Sequence, residues 1–186
     1  MNLEEPPFET NRLILRIHQW SDAADIFGYA QNPEVARFMP WTPHQSINDS
    51  YDFIARVLHE RRIGKRNDHA IVWKLTGKVN GSCSYRLVGH RSILGYALNQ
   101  DYWGKGLATE AAKKLIEVSF SHAEVSRVEA ICDIENIGSA RVMEKSGMKR
   151  EGLLRQYILI QELGSVPKDV FMYSLLKSEY EAISGF

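Results

Sequence analysis

Cysteine is scarce in the 186-residue chain, and the two present, Cys83 and Cys132, each lie in an apolar strand-like run. They read as buried thiols in a reducing compartment rather than as a disulfide or a nucleophile. Neither sign of charge is in excess: 23 basic residues face 23 acidic ones, and no long run of either occurs. That argues against a dedicated nucleic-acid or membrane-surface protein, since both need a basic excess. No apolar run reaches the length of a membrane span, and the acidic opening Met-Asn-Leu-Glu-Glu does not read as a signal peptide. The expected location is the cytoplasm. Histidines 18, 44, 59, 69, 90 and 122 are scattered without metal-ligand spacing, so no metal is expected. Repeats, low-complexity tracts and linkers are lacking too. Residues 1–186 are therefore expected to form one domain, long enough to bury about 70% of its unfolded surface.

What the chain does have is a glycine-bearing turn between a strand and a helix. Gly95 to Ala111 opens as a short apolar strand, turns at Asn99–Asp101, reaches Gly104-Lys105-Gly106, and enters a helix at once. The two glycines permit a tight turn and remove Cβ atoms that would hold a ligand off the backbone. The first amides of the helix lack intrahelical partners and sit at the positive end of its dipole. A phosphate or pyrophosphate suits such a place, although a ligand-free connection would use the same residues. Two common phosphate loops are excluded. No G-x-x-x-x-G-K-[ST] run occurs, and Thr109 stands where a dinucleotide fingerprint needs its third glycine.

Taken in order, Thr10–His18 alternates as a strand. Ser21 and Asp22 cap a short helix to Ala30, and Asn32-Pro33-Glu34 starts another. Met39–His44 carries two prolines and is a loop. Ser46 or Asn48 caps a long amphipathic helix that ends in a basic cluster, Arg61, Arg62, Lys65 and Arg66, read as a solvated helix end. Strands follow at His69–Leu75, Val79–Gly89 and Ser92–Asn99, then a helix from Gly106 to His122. A strand over Arg127–Asp133, a helix from Asn136 to Gly147, strands over Lys149–Ile160 and Val170–Leu175, and a terminal helical turn complete the chain. This order predicts an α/β (α+β) layer.

Tyr-Trp-Gly-Lys-Gly-Leu-Ala-Thr-Glu-Ala at 102–111 resembles the coenzyme A loop of the GNAT N-acetyltransferases, in the form seen in the RimJ/RimL ribosomal-protein branch. Gly106 and Ala108 fill the last two places of the loop pattern [R/Q]-x-x-G-x-[G/A], and Trp103 departs from it at the first. Thr-x-Arg-Leu-x-Leu-Arg at 10–16 is similar to the opening strand of that branch. Asn136 to Met148 is similar to the family's N-x-x-S-x-x-x-x-E-K-x-G-[F/M] helix. The resemblance covers Phe8 to Tyr180. It implies a GNAT fold, with a mixed, mostly antiparallel sheet of about seven strands, helices on both faces, and strands splayed around the coenzyme.

The resemblance also implies the chemistry: an acyltransferase moving an acetyl group from acetyl-CoA to an amine, with no metal. The amides of Gly104, Lys105, Gly106, Leu107, Ala108 and Thr109 would hold the pyrophosphate. A main-chain N–H near Leu98 would meet the thioester carbonyl, and the pantetheine arm would lie along Ala97, Leu98 and Asn99 as an added strand. Asn136 caps its helix and can reach a ligand. Ser139, one turn in, is the expected proton donor, because Met143 replaces the Tyr that many family members carry there. The two positions where the branch carries a glutamate base are Ile93 and Ile158. Glu151, Asp133 and Glu135 are the carboxylates left near the helix, and none is assigned as base.

The missing base bears on the acceptor. An α-amine has a pKa near 7.7–8.0, against about 10.4 for lysine, so a peptide N-terminus sheds its proton unaided more readily. The expected acceptor is a protein N-terminal α-amine, of the kind a ribosomal protein presents, with Met39 and Trp41 in the acceptor groove. Trp41 serves equally as a packing residue. A small amine such as a polyamine, aminoglycoside or amino acid derivative, and a non-catalytic coenzyme A sensor, remain as alternatives. Nucleic acid and membrane are not expected partners, and both monomer and homodimer stay open.

Overall fold

The computed structural model of the chain describes residues 6–159 and 166–184. It begins with two short strands, β1 (Phe8–Glu9) and β2 (Leu13–Arg16). Three helices follow: α1 (Ala23–Ala30), α2 (Pro33–Ala36) and α3 (Ile47–Arg62). Strands β3 (Asn67–Trp73), β4 (Val79–Val88) and β5 (Arg91–Leu98) form a meander that leads into α4 (Leu107–Ser121). The chain continues through β6 (Arg127–Asp133), α5 (Ile137–Lys145), β7 (Lys149–Ile158), β8 (Lys168–Leu176) and α6 (Lys177–Ser184).

Among the described residues the strands make one sheet in the order β1-β2-β3-β4-β5-β6-β8-β7. Every pairing is antiparallel except β5 with β6. This mostly antiparallel sheet with one parallel pair agrees with the GNAT fold that the resemblance implies. The sequence pattern omits β1, whose two residues pair with Leu15 and Ile14 at the sheet edge. Such a strand is too short for any alternation to register. The last residue expected in β7, at 160, lies outside the described residues.

Strand alternation sorts the side chains onto two faces. Leu13, Leu15, Ile71, Cys83, Tyr85, Leu94 and Leu98 pack with Leu107, Ala111, Leu115 and Ile116 of α4. Ala70, Val72 and Val79 face the other way, against Ile26 and Tyr29 of α1 and Ile54 of α3. Ser46 caps α3 as expected, in a capping box with Asp49. The end of α3 departs from its expected solvated state. Arg61 is only 8% exposed, and its Nη2 donates to the Asp68 carbonyl at 2.8 Å. Arg66 Nη2 donates to Ser84 Oγ at 2.8 Å. Two of the four cations are thus tied into the sheet, because β3 returns directly alongside α3.

Candidate active site

Beyond Ile93 the sheet parts. β5 and β6 pair from Arg91 with Arg127 to Ile93 with Glu129. Each then continues without the other, β5 held by β4 and β6 held by β8. The Asn99 N–H donates to the Asn80 carbonyl at 2.8 Å. Alternation therefore turns the main chain of Ala97 and Asn99 toward β4, and that of Leu94, Tyr96 and Leu98 toward the gap. The Leu98 carbonyl accepts the Trp103 indole N–H at 2.8 Å, which leaves the Leu98 N–H as a donor on the open edge.

The gap opens into a cavity of about 1070 Å³. Its floor is the α3-facing side of the sheet, with Asp68, Ser84, Gly95 and Ala97; its roof is α3 with the loop carrying Met39 and Trp41. Cys132, Asp133, Asn136 and Ser139 close the far end. Trp41 is half-buried, packs on the α1–α3 core and lines the cavity. Leu98, Asn99 and the Gly104–Thr109 turn lie outside this lining.

That turn has the geometry its sequence suggests. Gly104 and Gly106 hold φ of +73° and +76°, a region costly for residues with a Cβ. Gly106 is the N-cap of α4, and no side chain caps the helix. The first intrahelical bond runs from the Glu110 N–H to the Gly106 carbonyl at 3.0 Å. The amides of Leu107, Ala108 and Thr109 precede it at the positive end of a four-turn dipole, where a phosphate binds well.

A brace that the sequence reading missed holds this turn. Glu110 accepts the Thr10 hydroxyl at 2.6 Å, the Arg12 N–H at 2.8 Å and Arg12 Nε at 2.6 Å. Arg12 Nη1 in turn donates to the Lys105 carbonyl at 2.9 Å. Burial alone would raise the Glu110 carboxyl, but the bonds from Thr10 and Arg12 outweigh it and hold the group below its ordinary range.

At the other side of the gap, Asn136 Oδ1 accepts the Ser139 N–H at 3.0 Å and caps α5. The Tyr96 hydroxyl lies 2.9 Å from Ser139 Oγ and 3.1 Å from the Ser139 carbonyl. Burial pushes the Tyr96 phenol above its usual range, partly opposed by Ser139, so it stays protonated. Tyr96 was also missed, although its place beside Gly95 was legible. Met143 is buried in the α4-side core.

A family model described as an acetyltransferase (GNAT) domain matches residues 12–149. The chain belongs to the GNAT acetyltransferases. It is 34% identical over 174 residues to the uncharacterized N-acetyltransferase p20 of Bacillus licheniformis, covering 92% of this chain and 96% of that protein. A putative ribosomal-protein-serine acetyltransferase from Vibrio cholerae superposes with a TM-score of 0.81 at 23% identity, covering 91% and 97% of the two chains. RimL, a ribosomal L7/L12 α-N-protein acetyltransferase solved with coenzyme A, superposes at 0.76 with 17% identity, covering 90% and 95%. The protein is an N-acetyltransferase, and GNAT acetyltransferases use acetyl-CoA.

In this GNAT acetyltransferase the carboxylates beside α5 are engaged elsewhere. Glu151 takes two hydrogen bonds from Arg127, at 2.8 and 2.6 Å, and one from Ser174 at 2.6 Å. Arg127 above all holds its carboxyl down to about 2. Asp133 pairs with Lys168 at 3.3 Å, and Glu135 with Arg37 at 3.5 Å. Ile93 and Ile158 both line the cavity. Among the described residues no group of three or more His, Cys, Asp or Glu side chains is placed to hold a metal ion, and no helix is long and apolar enough to cross a membrane.

Proposed function

We infer that the enzyme acetylates the α-amine of a protein N-terminus, of the ribosomal-protein type. The observation that carries this reading is the continuity of the site. One open cavity runs from Ser139, past the free edge of β5, to the loop bearing Met39 and Trp41. Its volume of about 1070 Å³ stands at the top of the roughly 300–1,000 Å³ usual for small ligands, which leaves room for the first residues of a peptide. Its charges are mixed, with Asp49, Asp52 and Glu60 set against Arg56, Lys65 and Arg66. Two proteins of the same fold are named for acetylating ribosomal proteins. The α3 carboxylates favour a second reading, a small cationic amine as acceptor.

Acetyl-CoA, when bound, supplies the acetyl group as a reactive thioester. The uncapped amides of Leu107, Ala108 and Thr109, with the Gly104-Lys105-Gly106 turn before them, would hold its pyrophosphate. The strand edge through Ala97, Leu98 and Asn99 would bind the pantetheine arm with the outward groups of Tyr96 and Leu98, and the Leu98 N–H would polarise the carbonyl. Ser139, fixed by the Asn136 cap and the Tyr96 hydroxyl, would donate the proton that the departing sulfur requires. Met39 and Trp41 would wall the acceptor.

Release of free thiol from acetyl-CoA tests this reading. The acceptor panel holds Ala- and Ser-starting peptides patterned on ribosomal-protein N-termini, a lysine side-chain peptide, spermidine and an aminoglycoside. Turnover confined to the N-terminal peptides is expected. Turnover on spermidine or the aminoglycoside alone would move the acceptor to the small amines.

A further inference from the structure

The acceptor amine must lose a proton, and the two positions expected to supply a carboxylate base are isoleucines. Alternation places Ile93 on the α3-facing side of β5, together with Gly95 and Ala97. Two buried carboxylates stand on that same side: Glu129, opposite Ile93 on β6, paired with Arg91 and Arg127 and outside the cavity lining, and Asp68, which lines the cavity. Asp68 stands opposite Ser84 on β4, and Ser84 stands opposite Gly95 on β5. A Cβ at Gly95 would lie 3.3 Å from Ser84 Oγ and 3.7 Å from Arg66 Nη2, so the missing side chain leaves room on the cavity side of the Ser84 hydroxyl, which is itself only 2% exposed. Arg66, Asp68, Ser84 and Gly95 all line that cavity.

Asp68 is 3% exposed, and a charge buried to that degree calls for an explanation. Arg66 Nε lies 3.0 Å from Asp68 Oδ2. Yet Oδ2 has no aligned hydrogen-bond donor among the described residues, so the contact is electrostatic and leaves the oxygen able to take a proton. Arg66 also fixes Ser84 through the 2.8 Å bond to its Oγ. One guanidinium therefore sets both the carboxylate and the hydroxyl between it and the gap.

We propose that Asp68 is the terminal proton acceptor of the acetyl transfer, reached from the acceptor amine through the Ser84 hydroxyl and water. This rests on the reading of the cavity as the acceptor site. Two strand spacings, about 10 Å, separate Asp68 from Gly95, which requires a relay and excludes direct contact with the amine. An N–H bond of the acceptor ammonium breaks, and its electron pair stays on nitrogen as the nucleophile. An O–H bond forms on Asp68, and that proton then passes to solvent, so the net change is one proton from ammonium to water.

The surroundings tune Asp68 for this. Burial raises its carboxyl to about 6, and Arg66 is the largest opposing influence. From α3, Glu60 raises it further, while Arg56 and Arg61 lower it. Tyr29 of α1 and Cys83 of β4 also feel its charge, and burial keeps both protonated. At neutral pH Asp68 is therefore an ionised acceptor with a pKa close to the working pH, the condition under which a base is efficient.

The test is a pH–rate profile of wild type, Asp68→Asn and Arg66→Gln on an acceptor that turns over. Wild type should show a rise in kcat/KM near pH 6 that stays in place when an acceptor of different amine pKa is used. Asp68→Asn should lose that limb and about 100-fold of rate, with acetyl-CoA affinity unchanged by calorimetry. Arg66→Gln should move the limb to higher pH. Carboxyl ¹³C NMR of wild type supplies an independent reading, since Asp68 should titrate near 6. An Asp68 titrating near 4, or Asp68→Asn retaining full rate or the limb, overturns the assignment and leaves the acetyltransferase reading intact. No turnover by wild type on any amine overturns both. Should Asp68→Asn fail to fold, the NMR titration and the Arg66→Gln limb decide.

Discussion

The Tyr96 hydroxyl on β5 reaches across the parted sheet to within 2.9 Å of Ser139 Oγ on α5. The two residues are joined where β5 and β6 no longer pair.

Tyr96→Phe keeps the ring in its packing and removes only the link to Ser139. A fall in kcat of about tenfold is expected, the worth of roughly 1.4 kcal/mol of positioning, with coenzyme A affinity unchanged by calorimetry. Ser139→Ala should lose more rate than Tyr96→Phe. The reverse order would show that the phenol, and not the serine, is the donor.

Glu110→Gln tests the brace beneath the phosphate turn. It should weaken coenzyme A binding and lower the melting temperature at pH 7, with a cost of about 2 kcal/mol. The folded carboxyl lies below its unfolded value. Its contribution is thus present above the unfolded pKa and fades as pH falls through the folded one. The gap in melting temperature between variant and wild type should therefore close on acidification below about pH 4.

Gly106→Val places a β-branched side chain at φ +76°, a strain of about 1–2 kcal/mol, beside the Arg12 guanidinium. Coenzyme A affinity should fall at least tenfold by calorimetry, and far-ultraviolet dichroism should stay native. Unchanged affinity would remove this turn from the coenzyme site.

Glu151→Gln separates a structural carboxylate from a catalytic one. Its folded pKa of about 2 means that its stabilisation is complete above the unfolded value near 4.3 and disappears as pH falls toward 2. The variant should melt earlier than wild type at pH 7, converge with it near pH 2, and retain full kcat.

The helices were legible because each carries its own punctuation. Gly106 and His122 bracket α4, and Asn136 caps α5, through contacts made within a turn of chain. The strand over Arg127–Asp133 matches its pattern residue for residue. Asp68 was not legible, because Asn67-Asp68 looks like a turn; only pairing with Tyr85 and Ser84 on β4 draws it into β3. Arg61 misled for a related reason. Its polar face of α3 is buried by a strand that the helix itself cannot announce. The bond from Tyr96 to Ser139 joins residues 43 apart in the chain, beyond the reach of any local pattern.

The placing of β8 between β6 and β7 sets an order of assembly. As the chain emerges from the ribosome, β6 and α5 appear before the segment that secures them, and β7 has no neighbour until Lys168–Leu176 follows it out. Until then β6 shows a bare hydrogen-bonding edge, and α5 lacks the Tyr173 hydroxyl that donates to Glu144. A nascent chain halted before Lys168 should therefore already hold the phosphate turn, yet have no working centre.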